Sequence, residues 1–410
     1  MGSNQSSQGR FNRKPKMTQQ ELQWQYQRNL SEQQLADHMS ARQALENNTY
    51  GRSQDPRQIP GIGAHAPSVI ASTVNNESFY HQRSTTLHSG SNVKSGRQNY
   101  RWIDGRRHHN TEGAIYVLPN DIDEMDRLHL QHYVIRHAFG GNTRAKFDGK
   151  IHKDVLDVGC GPGTWILEMS TEHTETNFTG IDISAVWPTE IRPRNCRFQV
   201  VNAVQGLPFE DNTFDFVYQR FMIFAYPAQD WPFIIQELVR VTKPGGIIEL
   251  TEMPIMSNAN GPELSKLLEV LEEGCSAKGL DSKAAQKLDT LLRDAGLTEV
   301  KFCHASIPVG AWGAKVGQLM RENCAGLWSS LKGWLKELRQ MNDAEYDAMV
   351  KKIFIEYETH KCYVNCFCAW GVKPYPWEQP AATTASPPQP SLQQPDIAAP
   401  LPPTTRAAVV

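Results

Sequence analysis

Apolar positions are sparse over the first 110 residues and then settle into a regular alternation that lasts to about residue 373. From Ile151 onward, short apolar runs bounded by glycine and polar clusters alternate with stretches of helical period. This order predicts a mostly parallel sheet with helices on both faces. The strands fall at 154–158, 178–183, 197–201, 214–219, 247–251, 300–306 and 363–372. Helical patterns occupy 263–297 (broken near Gly279), 315–339 and 344–359, so a helical insert precedes the last strand. Upstream, Asp121 with Glu124 has the capping-box form. It opens a helix through Met125, Leu128, His132 and Ile135 that stops at Gly140-Gly141.

The pattern divides the chain into a basic Gln/Ser/Asn-rich region at 1–110, a folded domain at 111–373, and a Pro/Ala/Thr-rich tail at 374–410. Neither flank holds enough apolar surface to offset chain entropy, and both read as disordered. Thr18 with Glu21, and Ser31 with Gln34, open two short helical patterns that are marginal alone. Partner-binding helices and solvated ones are both open readings. Met1-Gly2 with Ser6 fits the N-myristoylation pattern, and Arg10, Arg13, Lys14 and Lys16 would add attraction to anionic lipid. The alternatives are a plain solvated tail and a nuclear-import cluster.

Charge and cysteines narrow the picture. The net charge of −2 combines about +7 over residues 1–110 with about −9 over the remainder. An acidic folded domain argues against direct nucleic-acid binding. The apolar runs fall short of the ~18 residues of a membrane span, and no apolar secretory stretch opens the sequence. Eight cysteines lack framework spacing. The expectation is an intracellular, cytoplasmic protein, peripheral to membrane if Gly2 is acylated, with a nuclear location as the alternative.

The chemistry centres on VLDVGCGPG at 155–163. A strand entering a glycine turn and then a helix lets main chain approach a ligand and aims free N–H groups at it. Many nucleotide folds share this much. Asp157 lies inside the strand end, and Asp182 ends the next strand nineteen residues after Gly163, where a carboxylate accepts both ribose hydroxyls. Leu207-Pro208-Phe209, Asn212, Phe214-Asp215 and Lys243-Pro244-Gly245-Gly246 follow at regular intervals.

Over about 151–253 this set resembles the class I S-adenosylmethionine-dependent methyltransferases. The resemblance implies a Rossmann-like, seven-stranded sheet whose last strand is antiparallel, with S-adenosyl-L-methionine as cofactor. Gly159, Gly161 and the neighbouring backbone of Cys160 would hold its methionine part, with Asp157 and Gln219 close by. Asp182 would bind the ribose, Ile183 would pack on adenine, and Asn202 and Ala203 would meet the adenine edge. Asn202 replaces the usual Asp and offers a weaker, uncharged acceptor. A narrower similarity, over about 114–373, is to fungal methyltransferases related to velvet-complex regulators of secondary metabolism. It rests on Tyr116 to Asp121, Glu124, Arg127, Leu128, Gln131, His132, Trp165, Pro193, Asn195-Cys196, Arg220, Glu249 and Glu252.

The expected function is methyl transfer to an unidentified acceptor, a small molecule or a regulatory protein target. Two rivals are a regulatory protein that docks partners through its flanks and a nicotinamide oxidoreductase. Since transfer from a sulfonium needs mainly alignment and dryness, no catalytic residue is fixed by the sequence. His129, His132, Tyr226 and Glu252 are candidate bases, each also readable as structural. Arg220 is either a ligand contact or an ion-pair partner of the early helix. Gln219-Arg220-Phe221-Met222 lacks the Asn/Asp-Pro-Pro-aromatic turn of amino-methylating nucleic-acid and glutamine enzymes. The paired-glutamate loop of arginine methyltransferases and a catechol-type carboxylate cluster are also missing. Cys362, Cys366 and Cys368 with His360 invite a zinc site, but their even spacing spreads them along one strand face, as for buried core thiols. Trp312, Trp328 and Trp334 in the helical insert read as core or as a lid.

Overall fold

The computed structural model describes residues 100–111 and 115–377. The acylation pattern, the two amino-terminal capping patterns and the tail past Trp377 lie outside the described residues. Residues 375–410 form a separate unit, in which the Tyr375 and Trp377 rings stack 4.6 Å apart.

The chain opens with a hairpin, β1 (Tyr100–Ile103) and β2 (Arg106–His109), followed by helix α1 (Ile122–Phe139). The sheet then begins with β3 (Asp154–Val158), α2 (Thr164–Glu172), β4 (Asn177–Asp182), β5 (Cys196–Val200) and β6 (Phe214–Arg220). It continues with α3 (Trp231–Val241), β7 (Thr242–Glu252), α4 (Pro262–Ala277), α5 (Leu288–Asp294) and β8 (Thr298–Pro308). Helices α6 (Ala314–Arg339) and α7 (Asp343–Thr359) form the insert before β9 (Tyr363–Val372). The spatial order is β5-β4-β3-β6-β7-β9-β8, and β9 is antiparallel to both neighbours, as the family resemblance implies.

The central strand β3 buries Val155, Leu156 and Val158 completely, because a parallel strand covered on both faces has no solvent side. One face packs α3 and α5 on β3, β6 and β7. On the other, Trp165, Ile166 and Met169 of α2 meet Phe178, Phe216 and Tyr218. Each fully buried Ile or Phe here stabilises by about 1.5–3 kcal/mol. Trp165 stacks on Tyr218 at 4.1 Å while its indole donates to the Asn142 carbonyl at 2.8 Å, so its polar edge is not stranded. The third core joins α1, α4, α6 and α7 against β8 and β9.

Three expectations need correction. Residues 100–109 belong to the folded part rather than to the flank. Their hairpin has little apolar period because polar bonds anchor it: Arg106 pairs with Asp121 at 2.5 Å, and Asn120 N–H donates to the Arg107 carbonyl. Helix α3 is absent from the predicted elements, although Trp231, Ile234, Ile235, Leu238 and Val241 share one buried face and Pro232 stands at its start. Asp121 does cap α1, but Glu124 turns inward instead of completing the box. Its carboxylate takes both Arg127 (2.6 Å) and the Ser330 hydroxyl (2.7 Å), while Arg127 also donates to Asn323. That buried network fastens α6 to α1. The reciprocal box instead occurs at Asn342 and Glu345 of α7.

Glu249 ties the loop after α1 to the sheet: its buried carboxyl accepts from the N–H groups of Arg144 (2.9 Å) and Ala145 (2.6 Å). Glu249→Ala strands these donors and lowers unfolding free energy by about 1–3 kcal/mol in a urea titration. An unchanged midpoint would contradict this tie.

Candidate functional site

Sheet order reverses between β3 and β6, and the carboxyl ends of these strands open into a cleft, where ligands of such sheets sit. The cleft encloses about 1270 Å³ of atom-free space, partly open to solvent. The turn after β3 forms its floor, with Gly159 and Cys160 N–H both donating to the Ile181 carbonyl. Gly159 (φ +71°) holds a left-handed turn that strains any residue with a side chain, and a Cβ there would also press on the Met222 side chain. Gly161 N–H donates to Asp182 Oδ2 at 2.9 Å, and Ser184 N–H to Oδ1 at 2.9 Å. Burial pushes the Asp182 carboxyl up, while these backbone N–H groups and that of Ile183 oppose the shift.

Gly159, Cys160, Gly161, Asp182, Ile183, Asn202 and Ala203 all line this cleft, from glycine turn to the end of β5. Two other predicted site residues do not. Gln219 is buried behind Tyr226, whose hydroxyl donates to its Oε1 at 3.1 Å. Asp157 is 3% exposed beneath the turn, its carboxyl raised to about 7 by burial. In β6, Gln219 alternates inward from Arg220, which reaches the cleft.

The residues fit an S-adenosyl ligand by their own unmet chemistry. Each Asp182 oxygen keeps accepting capacity for a sugar hydroxyl. Arg220 is the cation among the described lining residues and suits an amino-acid carboxylate. Asn202 departs from expectation. Its Oδ1 caps the turn by accepting from Val204 N–H at 3.4 Å, and the buried Nδ2 has no partner. It therefore presents a donor, matched to a ring nitrogen of a base, rather than an acceptor for an amino group.

Arg220 is held from behind. Its Nη2 donates to His132 Nδ1 at 3.2 Å, and His132 Nε2 meets Glu168 at 2.8 Å. A guanidinium only donates, so Nδ1 accepts and Nε2 carries the proton. Burial lowers His132 to about 4, so it serves as a neutral link and not as a base. The expected ion pair of Arg220 with the early helix is instead a hydrogen bond to a neutral imidazole, and the same Arg220 also lines the cleft. His129 is engaged with Thr164 at 2.6 Å. Burial raises the Tyr226 hydroxyl well above its ordinary value.

Sequence reasoning missed the partition at 221–223. Phe221 has φ +60°, a left-handed geometry costing a non-glycine residue about 1–3 kcal/mol. Its N–H donates to the Thr251 carbonyl, and buried Glu252 accepts from Met222 N–H at 2.6 Å and from Ile223 N–H. Nothing in residue type marks such a turn. Beyond it lies a second pocket of about 850 Å³ of atom-free space, partly open to solvent, sharing Tyr116, Leu128, Gln131 and Phe221 with the cleft. Leu268, Leu271, Met320, Leu327 and Trp328 supply much of its apolar wall.

The cysteines at 362, 366 and 368 are buried, and no metal-binding cluster occurs among the described residues. Trp328 is core and Trp334 packs against it, whereas Trp312 is 41% exposed.

Burial raises Glu252 to about 8. Its contribution is complete below the unfolded value near 4.5 and is lost as pH rises through about 8. Wild type therefore loses unfolding free energy from about pH 4.5 up to about pH 8. Glu252→Gln, which keeps the accepting oxygen, loses less; parallel stability curves would contradict the assignment. At the adenine end, Asn202→Asp keeps the oxygen that accepts from Val204 N–H but replaces the Nδ2 donor with a second acceptor facing the ring nitrogen. S-adenosylhomocysteine binds that variant about 3–10-fold more weakly by calorimetry, and equal or tighter binding would refute the amide orientation.

A methyltransferase domain family matches residues 155–246. Methyltransferase pytC of Aspergillus terreus is 30% identical over 270 residues, 61% of this chain and 82% of that one. N-methyltransferase verN of Clonostachys rogersoniana is 26% identical, over 63% of this chain and 93% of that one. Secondary metabolism regulator laeA of Coprinopsis cinerea is 32% identical over 36% and 38% respectively. With the sheet order, the glycine turn and the strand-end carboxylate in place, the chain belongs to the class I S-adenosylmethionine-dependent methyltransferases, related to pytC and the laeA regulators.

Proposed function

We propose that this methyltransferase acts on a small, largely apolar organic molecule seated in the pocket beyond Phe221. The observation that carries this reading is the shared wall: one apolar chamber adjoins the cofactor cleft through Tyr116, Leu128, Gln131 and Phe221. The bound donor supplies an electrophilic methyl group on a sulfonium. Asp182, the 159–161 turn, Asn202 and Arg220 hold its parts. The apolar walls and the helices α1, α4 and α6 exclude water from the acceptor side.

The described lining also limits the acceptor's chemistry. Glu124 is occupied by Arg127 and Ser330, and the Tyr357 hydroxyl accepts from Trp328 Nε1 at 2.8 Å. Burial raises Tyr116, Tyr226, Cys160, Cys324 and Tyr357, so each keeps its proton. No free base stands at the junction of the described walls. The acceptor is accordingly a group nucleophilic as it stands, such as a neutral amine, rather than an alcohol needing deprotonation. The relatives named methyltransferase pytC and N-methyltransferase verN, each covered over most of its length, support this reading.

The test supplies isotope-labelled donor to the purified protein with separated small-molecule and protein fractions of an extract. Label is expected in apolar small molecules. Label confined to protein would favour a regulatory target, and none in either fraction would refute the reading. Leu327→Trp fills the pocket and lowers kcat/KM by about tenfold or more while S-adenosylhomocysteine binding stays within about twofold. Asp182→Ala weakens that binding about 10–100-fold.

A further inference from the structure

Away from the cleft, Cys303 on β8 lies directly opposite Cys368 on β9. The two thiols share a hydrogen bond. Directly opposed residues of antiparallel strands have Cα atoms about 4.5–5.5 Å apart. Disulfides need about 4.4–6.8 Å, so these strands require no rearrangement to be bridged. Cys303 is half-buried on the edge strand, and Cys368 is fully buried behind it.

A cation stands beside the outer thiol. Exposed Arg144 hydrogen-bonds the Cys303 sulfur, while its Nη1 donates to the Phe139 carbonyl at 2.8 Å and its backbone N–H to Glu249. Arg144 is thus held at both its backbone and its guanidinium. The bond from Cys368, then Arg144 and His304, holds the Cys303 thiol below the usual range against its burial. Burial pushes each of the other seven thiols up. A solvent-reachable sulfur beside a fixed cation, with a second sulfur in contact, is the setting of a resolving thiol pair.

We propose that Cys303 and Cys368 form a dithiol that hydrogen peroxide closes to a cross-strand disulfide, a modification site separate from methyl transfer. The Cys303 thiolate attacks one peroxide oxygen and the O–O bond breaks. Cys303 becomes a sulfenic acid, and the departing hydroxide takes a proton to give water. The Cys368 sulfur then attacks the Cys303 sulfur, and the S–O bond breaks. Hydroxide leaves with the proton from Cys368 as a second water. Two thiols have lost two electrons, and one peroxide has become two waters. The closed loop spans α6 and α7, whose side chains help wall the second pocket.

The test treats the full chain with roughly equimolar hydrogen peroxide and maps non-reduced peptides by mass spectrometry. The expected first product joins the peptides of Cys303 and Cys368. In Cys368→Ser, Cys303 stops at the sulfenic acid and is trapped by dimedone. Untreated wild type also alkylates at Cys303 with iodoacetamide about tenfold or more faster than at Cys160 or Cys275. Oxidation of another cysteine first would overturn the proposal. So would Cys303 passing to the sulfinic acid in wild type without joining Cys368.

Discussion

Asp182 binds the amide of Gly161, and that contact sets the geometry on which the site depends. It brings the end of β4 against the turn after β3, so the carboxylate and the bare main chain face one cleft from adjoining strands. The parallel β3–β4 register aligns Val158 with Ile181, which puts the two strand ends level. Neither element would serve alone: a glycine turn without the carboxylate has no sugar selectivity, and an untethered carboxylate at a strand end would have no fixed direction. The strand-end acids share this logic. Asp182, Glu249 and Glu252 all accept backbone N–H groups, and each thereby fixes a loop at the sheet's carboxyl edge.

The second half of the site depends on a different device. A left-handed Phe221, tethered through Thr251 and Glu252, forms a thin partition between the cleft and the apolar pocket. The helical insert completes that pocket, and the Glu124–Arg127 pair with Asn323 and Ser330 fixes the insert to α1. A charged pair in the core is rarely the most stable choice, but removing either partner leaves the other buried and unpaired. It specifies how α6 sits, and therefore the shape of the chamber.

Much of this was legible in the residues. The strand and helix periods placed β3 to β9 and the insert within a few positions, because buried parallel strands carry continuous apolar runs. The glycine turn and Asp182 were legible because their chemistry is local. What escaped was long-range. Glu124 satisfies the capping pattern with Asp121, yet its carboxylate is shared between Arg127 and Ser330, the latter 206 residues on. The hairpin at 100–109 is held by polar bonds to Asn120 and Asp121, so no apolar period announces it. Asn202 reads as an acceptor in the sequence, which does not say which end of an amide the turn consumes. Gln219 stands next to the cleft residue Arg220 in sequence, but strand alternation turns it inward, and Asp157 is buried two residues before the glycine turn.

The account's central claim is that the cleft between β3, β4 and β6 is built for an S-adenosyl ligand. Isothermal titration of the wild-type chain with S-adenosylhomocysteine, beside NAD, tests it most directly. One saturable binding event with S-adenosylhomocysteine and no heat with NAD is the predicted result; heat with NAD alone, or with neither, would contradict it.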